Sequence, residues 1–284
     1  MDGKGPSQEN GGHGRHAVRA TLMTPKSETV EIFEIPISRI SFSGVCQAIH
    51  DRIERRDPGY IVTPNVDHVC TYHRNDDFRQ AYTGAFLVLP DGTPIIWASW
   101  LFGRPLPQKL SGSDLVPALC GVAAEYGHSV FFFGGTRGAA ERTVDKLKAN
   151  YPGLRVAGIY WPPYGFEKDP DENQRAIDAV RVAQPDICFL ALGSPKQEIW
   201  MARHYQDLGA IISIGVGGAF ELVSGKVRRA PNWVQEIGFE WLWRLAHEPR
   251  RLWHRYLVDD LVFFKLLWEE YRRRRAAPST HISG

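Results

Sequence analysis

Short apolar segments recur along the chain, and stretches with helical periodicity separate them. This alternation constrains the fold more than any other feature, because buried parallel strands read as short apolar runs and need helical crossovers between them. The segments that predict strands are residues 60–63, 86–89, 129–133, 155–160, 186–192 and 210–214. The clearest helical stretches between them are residues 114–126, 139–149 and 195–206. The sequence therefore predicts an α/β fold with a Rossmann-like, largely parallel sheet.

The composition changes twice along the chain and predicts three parts. Residues 1–28 are rich in Gly, His and charged residues and lack the apolar core of a signal peptide, so we expect a disordered tail. Residues 29–230 carry the strand and helix alternation and form the predicted core. Residues 231–284 concentrate Trp and Arg without a further strand pattern, which predicts a helical, basic and aromatic C-terminal appendage.

The appendage has an apolar stripe at helical spacing, formed by Leu257, Leu261, Phe264 and Trp268. Such a stripe can pack on the core or contact a membrane surface, and the sequence leaves both alternatives open. No run approaches the roughly eighteen apolar residues of a membrane-spanning helix, so membrane contact would be peripheral.

Composition also argues against several classes of partner and cofactor. The 34 basic and 32 acidic residues give a net charge of +2, far from the basic excess typical of nucleic-acid binding. The four cysteines form no C-x-x-C pair, which disfavours a zinc site or a disulfide framework and fits a reducing cytoplasm. The histidines show no ligand spacing and no D-x-D pair lies near Asp91, so the sequence requires no metal.

Polar and glycine-rich segments follow five of the predicted strands. They are TPNVDH, PDGTP, GGTRG, GSPKQE and GVGGAFE. In a parallel sheet such segments gather at the carboxyl edge of the strands, where ligands bind. We therefore expect them to form one shared cleft.

The segment PDGTP places Asp91 directly after an apolar strand. A carboxylate in a partly desolvated cleft can act as a general base, removing the proton from an attacking hydroxyl. An aspartate at this position can equally cap the helix that follows. In TPNVDH, Thr63 and Asn65 offer hydrogen-bonding groups for a ligand, but the same residues are typical of a turn and a helix cap.

Three further segments offer candidate diphosphate contacts. Lys196 and Gln197 lie in the first turn of a predicted helix, where they could face an anion or form ordinary helix surface. The loop with Gly134 and Gly135 resembles a dinucleotide loop only loosely, and no acidic residue ends the next strand, which disfavours NAD. A diphosphate of another nucleotide remains compatible with that loop. Basic residues in SGKVRRAP provide a candidate diphosphate clamp, namely Lys226, Arg228 and Arg229.

Taken in order, the segments TPNVDH, LPDGTPIIW, SGSDLV, FFFGG, LGSPKQEIW, GVGGAFELVSGKVRRAPNW and GFEWLWRLAHEPRRLWHRY resemble the WecG/TagA/CpsF family of bacterial glycosyltransferases. The resemblance implies inverting transfer from a UDP-sugar to a polyprenyl-diphosphate-linked saccharide at the cytoplasmic face of the plasma membrane, in the synthesis of surface polysaccharides. It also implies a metal-independent enzyme without a cofactor.

Carried over by motif, the resemblance makes Asp91 the catalytic base, with Thr63 and Gln197 positioning the acceptor or the base. Arginines of the appendage would complete the site, namely Arg250, Arg251 and Arg255. Lys109 stands where the family usually has arginine; it keeps the charge and loses the paired hydrogen-bonding geometry.

The sequence leaves two other functions open as alternatives. One is a nucleotide-binding oxidoreductase on a Rossmann-like sheet, and the other is a non-catalytic membrane scaffold that uses the C-terminal helices. The sequence leaves open the donor sugar and the oligomeric state, for which a homo-oligomer is one alternative.

Overall fold

A computed structural model of the protein describes residues 28–227, 229–231, 234, 242, 243, 246 and 261–276. Its main sheet has six parallel strands in the order β4-β3-β8-β7-β5-β6. The strands are β3 (Gly59–Val62), β4 (Leu87–Val88), β5 (Ser129–Gly134), β6 (Arg155–Tyr160), β7 (Ile187–Ala191) and β8 (Ile212–Gly215). All six predicted strands are confirmed, as is the predicted α/β class.

Helices connect the strands and cover the sheet. The described residues contain α1 (Phe42–Arg55), α2 (Val66–Tyr72), α3 (Asp76–Thr83), α4 (Thr93–Leu101), α5 (Gly112–Tyr126), α6 (Ala139–Asn150), α7 (Pro170–Ala183), α8 (Lys196–His204), α9 (Ala219–Val223) and α10 (Leu261–Ala276). The three helices anticipated between the strands are α5, α6 and α8. None of the helices in the described ranges is long and apolar enough to cross a bilayer.

The helices form two layers because the strands are apolar on both faces. Along β5, Phe131 and Phe133 belong to one buried cluster and Phe132 to the other, as the alternation of a pleated strand requires. Helices α1, α5, α6 and α9 pack on the side of Phe132, while α2, α3, α7, α8 and α10 pack on the opposite side. The result is a three-layer sandwich whose core is the sheet.

A hairpin that the sequence analysis did not anticipate precedes the sheet. Its strands are β1 (Thr29–Ile32) and β2 (Ile35–Ser38), joined by Phe33 and Glu34. Both linking residues have positive φ, 54° and 62°, which a tight hairpin turn requires and which usually calls for Asn or Gly. Phe33 is only 2% exposed, so its packing offsets the unfavourable backbone conformation.

The appendage helix α10 packs on the core through a face that the predicted stripe does not include. Phe263 is buried and its ring centroid lies 5.1 Å from that of Phe33. Phe264 and Trp268, which belong to the predicted stripe, are instead 64% and 60% exposed. Leu257 lies outside the described residues.

Phe33 also contacts Phe102, at 5.6 Å between ring centroids, so one side chain joins the hairpin, the end of α4 and α10. We expect Phe33→Ala to lower the free energy of unfolding by about 3–5 kcal/mol, the range for deletion of a buried aromatic ring. Urea denaturation followed by circular dichroism measures this loss. Tyr164→Ala is the matched control, because Tyr164 is fully exposed at 100% and its loss should leave the curve unchanged.

Candidate active site

The strand order places the polar segments side by side along one edge of the sheet. From β4 towards β6, the loops at this edge contain Asp91, Thr63, Gly217, Ser194 and Gly135 in that order. Hydrogen bonds join neighbouring loops, because the Asp91 amide donates to the carbonyl of Pro64 (2.8 Å) and the Gly135 amide to that of Ala191 (2.7 Å). The predicted segments therefore share one edge, as a single cleft requires.

Asp91 directly precedes the N-cap residue of the helix that follows it. The N-cap of α4 is Gly92, which has no side chain to form a capping hydrogen bond. The carboxylate of Asp91 is half-buried at the carboxyl end of β4, and it lies close enough to Tyr82 to contribute to the raised pKa of that phenol, which burial causes first. Capping by Asp91 and a chemical role for Asp91 both stay predictions.

Thr63 and Asn65 have structural contacts in the same region. Thr63 is 4% exposed and its hydroxyl donates to the carbonyl of Gly215 at 3.0 Å, which ties β3 to β8. Asn65 is the N-cap of α2, where its side-chain oxygen accepts from the amide of His68 at 3.2 Å. The turn-and-cap interpretation is thus confirmed for Asn65, and a substrate contact by either residue stays a prediction.

Gln197 is not helix surface, since only 2% of it is exposed. Its Oε1 accepts hydrogen bonds from the amides of Leu192 (3.2 Å) and Gly217 (3.0 Å), and its Nε2 donates to Oε1 of Glu198 (2.7 Å). The side chain therefore holds together the loops that follow β7 and β8. Lys196, its neighbour, lies 3.6 Å from Oε2 of Glu167 in an ion pair, so its charge is partly balanced within the protein.

Gly134 and Gly135 form the turn after β5. Their φ angles are +91° and +78°, and a Cβ on Gly134 would lie 2.6 Å from the carbonyl oxygen of Ala191. The adjacent amide of Thr136 donates to the carboxylate of Glu221 at 2.7 Å. The glycines are therefore required by backbone conformation, and contact with a ligand diphosphate is a separate prediction.

A group of charged residues lies beside the Asp91 loop. The amide of Leu110, next to Lys109, donates to the carbonyl of Pro90 at 2.8 Å, and Arg229 forms an ion pair with Asp114. Burial alone would raise the pKa of Asp114. Hydrogen bonds from Ser111 and Arg229 and the charges of Arg229 and Lys109 outweigh burial, and they hold this pKa below its usual value.

The start of α5 completes this side of the site. A Cβ at Gly112 would lie 2.7 Å from the carbonyl oxygen of Val216, so α5 begins in direct contact with the end of β8. Helix N-termini carry partial positive charge and exposed amides that favour anions. Four of the predicted arginines lie outside the described residues: Arg228, Arg250, Arg251 and Arg255. Among the described residues, no group of three or more His, Cys, Asp or Glu side chains could hold a metal ion.

Residues 30–277 match the sequence model of the glycosyl transferase WecG/TagA/CpsF family. The chain belongs to this family. The WecG/TagA/CpsF resemblance inferred from the motifs is thus confirmed, and the protein is a glycosyltransferase, which removes the grounds for the oxidoreductase and scaffold alternatives.

Curated relatives are similar to this chain over most of its length. A protein of Bacillus spizizenii is 30% identical over 232 residues, covering 82% of this chain and 86% of its own length. A Bacillus subtilis protein is 29% identical over 80% of this chain and 86% of its own. A Staphylococcus aureus protein is 26% identical over 68% of this chain and 74% of its own. Each is named N-acetylglucosaminyldiphosphoundecaprenol N-acetyl-beta-D-mannosaminyltransferase.

Glu198 is a buried acid that the sequence motifs did not indicate as a candidate functional residue. The residue is 0% exposed, and its Oε2 has no hydrogen-bond partner. Its Oε1 accepts from Gln197 and lies 3.9 Å from Nε2 of His68, whose Nδ1 is 2.7 Å from the hydroxyl of Tyr82. One sequence signal was available, since Glu198 stands three residues before the apolar Met201 on the buried face of α8.

Burial raises the pKa of Glu198 to about 7, well above its usual value, because the charged form loses its hydration. The unfolded chain then ionises Glu198 at lower pH than the folded chain does. The protonated side chain therefore contributes stability to the folded chain, and this contribution is complete below the pKa of the unfolded chain. It is lost as the pH rises through the folded pKa, up to about 7.

We expect Glu198→Gln to flatten the fall in stability between about pH 4.5 and pH 7, because the amide cannot ionise. The folding free energy should then change by about 3 kcal/mol less over this interval than in the wild type. Urea denaturation at several pH values measures the slope. Glu141→Gln, on the exposed surface of α6, should keep the wild-type slope. Equal slopes for all three proteins would contradict the assignment of Glu198.

Proposed function

We propose that the chain is an inverting enzyme that moves a hexose or N-acetylhexosamine-type sugar from a UDP-sugar to a polyprenyl-diphosphate-linked saccharide. The observation that carries this proposal is the placement of Asp91 directly after β4, in a loop whose Pro90 carbonyl accepts from the amide of Leu110, the neighbour of Lys109. The names of the relatives support the acceptor and favour N-acetylmannosamine as the first donor sugar to assay. The product would enter the synthesis of a cell-surface polymer.

In the proposed reaction, the carboxylate of Asp91 accepts the proton of an acceptor hydroxyl. The hydroxyl oxygen forms a bond to the anomeric carbon of the donor sugar. The bond between that carbon and the β-phosphate oxygen of UDP breaks on the opposite face, so the configuration inverts. A positioned base is needed because a neutral sugar hydroxyl is a poor nucleophile.

The departing UDP gains negative charge, and the residues near Asp91 could stabilise it. Lys109 supplies a point charge, Arg229 a guanidinium group, and the start of α5 a cluster of amides. Arg229 already pairs with Asp114, so the diphosphate would share this guanidinium with a carboxylate. We propose that the other arginines predicted from the sequence add to this positive charge, namely Arg228, Arg250, Arg251 and Arg255.

The remaining predicted residues would position the groups that react. Thr63 is fixed against the carbonyl of Gly215, one loop away from Asp91, and could orient the acceptor or the base. Gln197 would act through the backbone, because its polar atoms bond the loops after β7 and β8. Asn65, Lys196, Gly134 and Gly135 would contact the substrates further along the same edge. We propose that the enzyme works at the cytoplasmic membrane surface, where a lipid-linked acceptor resides.

We expect Asp91→Asn to lower turnover by about a hundredfold to ten-thousandfold, because it removes the base without removing volume. UDP release from UDP-N-acetylmannosamine, with a short-chain lipid-diphosphate N-acetylglucosamine as acceptor, measures the rate. Calorimetry should show UDP binding and thermal stability close to those of the wild type. Asp145→Asn, on the exposed surface of α6, is the matched control and should keep full activity. Near-normal turnover of Asp91→Asn would overturn the assignment of the base.

We expect turnover to persist in EDTA, because cationic side chains can stabilise the leaving diphosphate in place of a metal ion. The measurement compares initial rates with and without the chelator after dialysis. An enzyme that EDTA inactivates and that magnesium or manganese restores would contradict this expectation.

A further inference from the structure

Helix α4 exposes an unusual amount of apolar surface next to the candidate base. The helix contains no charged residue and buries Ile95, Ile96 and Ala98 on one side. On its other side Trp97, Trp100 and Leu101 are 43%, 60% and 52% exposed, and they stand at the spacing of one helical stripe. Contiguous exposed apolar side chains of this size mark an interaction surface.

A second exposed aromatic stripe lies on α10. Phe264 and Trp268 are exposed, the ring of Trp268 stacks on Tyr271 at 6.2 Å, and the guanidinium of Arg275 lies 5.0 Å from the Tyr271 ring centroid. The buried side of α10 contacts Phe33, and Phe33 contacts Phe102 directly after α4. Arg274 of α10 also lies over the Phe102 ring, at 5.0 Å. The two exposed stripes therefore belong to neighbouring helices.

The charges around these stripes favour an anionic surface. From Gly92 to Ser113 the sequence contains no acidic residue, and Arg104 and Lys109 are its charged residues. On α10 the exposed Arg272 and Arg275 follow the aromatic stripe, and the exposed Glu269 within it is paired with Lys265 at 3.7 Å. Tryptophan beside basic residues is the composition of helices that lie in the headgroup region of a bilayer.

We propose that α4, together with α10, is a membrane-contact element that inserts Trp97, Trp100 and Leu101 into the headgroup region of an anionic bilayer. Helix α4 begins two residues after Asp91. At about 1.5 Å per residue, Trp100 lies roughly 10 Å along the helix axis from Thr93, so insertion of the stripe holds the candidate base close to the lipid headgroups. The link to Asp91 rests on the proposed function, whereas the lipid contact itself does not.

Co-sedimentation of the full-length protein with phosphatidylglycerol vesicles tests this proposal, in the absence of donor and acceptor. We expect Trp100→Glu to weaken vesicle binding by about tenfold or more, because a charged side chain resists burial at the interface. Trp100→Gln should weaken it less. Val182→Glu, at an 85% exposed apolar position on α7, is the matched control and should bind like the wild type. Thermal melting of each variant checks that the fold is kept.

Three results would overturn the proposal. The first is vesicle binding at the wild-type level by both Trp100→Glu and Trp100→Gln. The second is equal binding of the wild type to phosphatidylcholine and phosphatidylglycerol vesicles. The third is light scattering that shows a dimer for the wild type and a monomer for Trp100→Glu. The last result would assign the surface to a second copy of the chain. Turnover of Trp100→Glu on a short-chain soluble acceptor should match the wild type. A protein that binds vesicles as expected but transfers no sugar to the lipid-diphosphate acceptor would refute the proposed function and leave the lipid contact standing.

Discussion

Parallel pairing of β3 with β4 on one side and with β8 on the other determines where the candidate site residues lie. Because all three strands run in the same direction, the loops that carry Asp91, Thr63 and Gly217 leave the sheet at the same edge. The side chain of Thr63 and the amide of Asp91 then bond across the neighbouring strands. The register of these strands therefore fixes the distance between chemical groups that are far apart in the sequence.

One short motif contains both a side chain that holds loops together and a buried titratable carboxylate. In the segment GSPKQE, Gln197 and Glu198 are buried and hydrogen-bonded to each other, and Gln197 holds two loops of the edge. A buried amide with satisfied oxygen and nitrogen stabilises the backbone around it, whereas a buried carboxylate with one unpaired oxygen is costly to ionise. Glu198 thus links the free energy of unfolding to pH, although solvent reaches neither side chain of the pair.

Local sequence patterns predicted the sheet and the position of Asp91, because buried strands and the loops that follow them are short-range features. They did not predict the hairpin turn at Phe33 and Glu34, whose backbone conformation depends on contacts of Phe33 with Phe102 and Phe263. They also left Gln197 as helix surface or ligand contact, since its hydrogen-bond partner Gly217 lies twenty residues away in the sequence. Contacts between distant segments decide such cases, and no periodicity reports them.

Membrane contact through the tryptophan stripe of α4 would confine the encounter of enzyme and lipid-linked substrate to the plane of the bilayer. A protein held at a bilayer by this stripe meets a lipid-linked molecule by lateral diffusion in a plane, while a soluble nucleotide sugar arrives from a volume. Its rate of encounter with the lipid-linked molecule then depends on the number of those molecules per unit of membrane area. Lipid composition and membrane area would thereby control the rate, even where the soluble substrate is saturating.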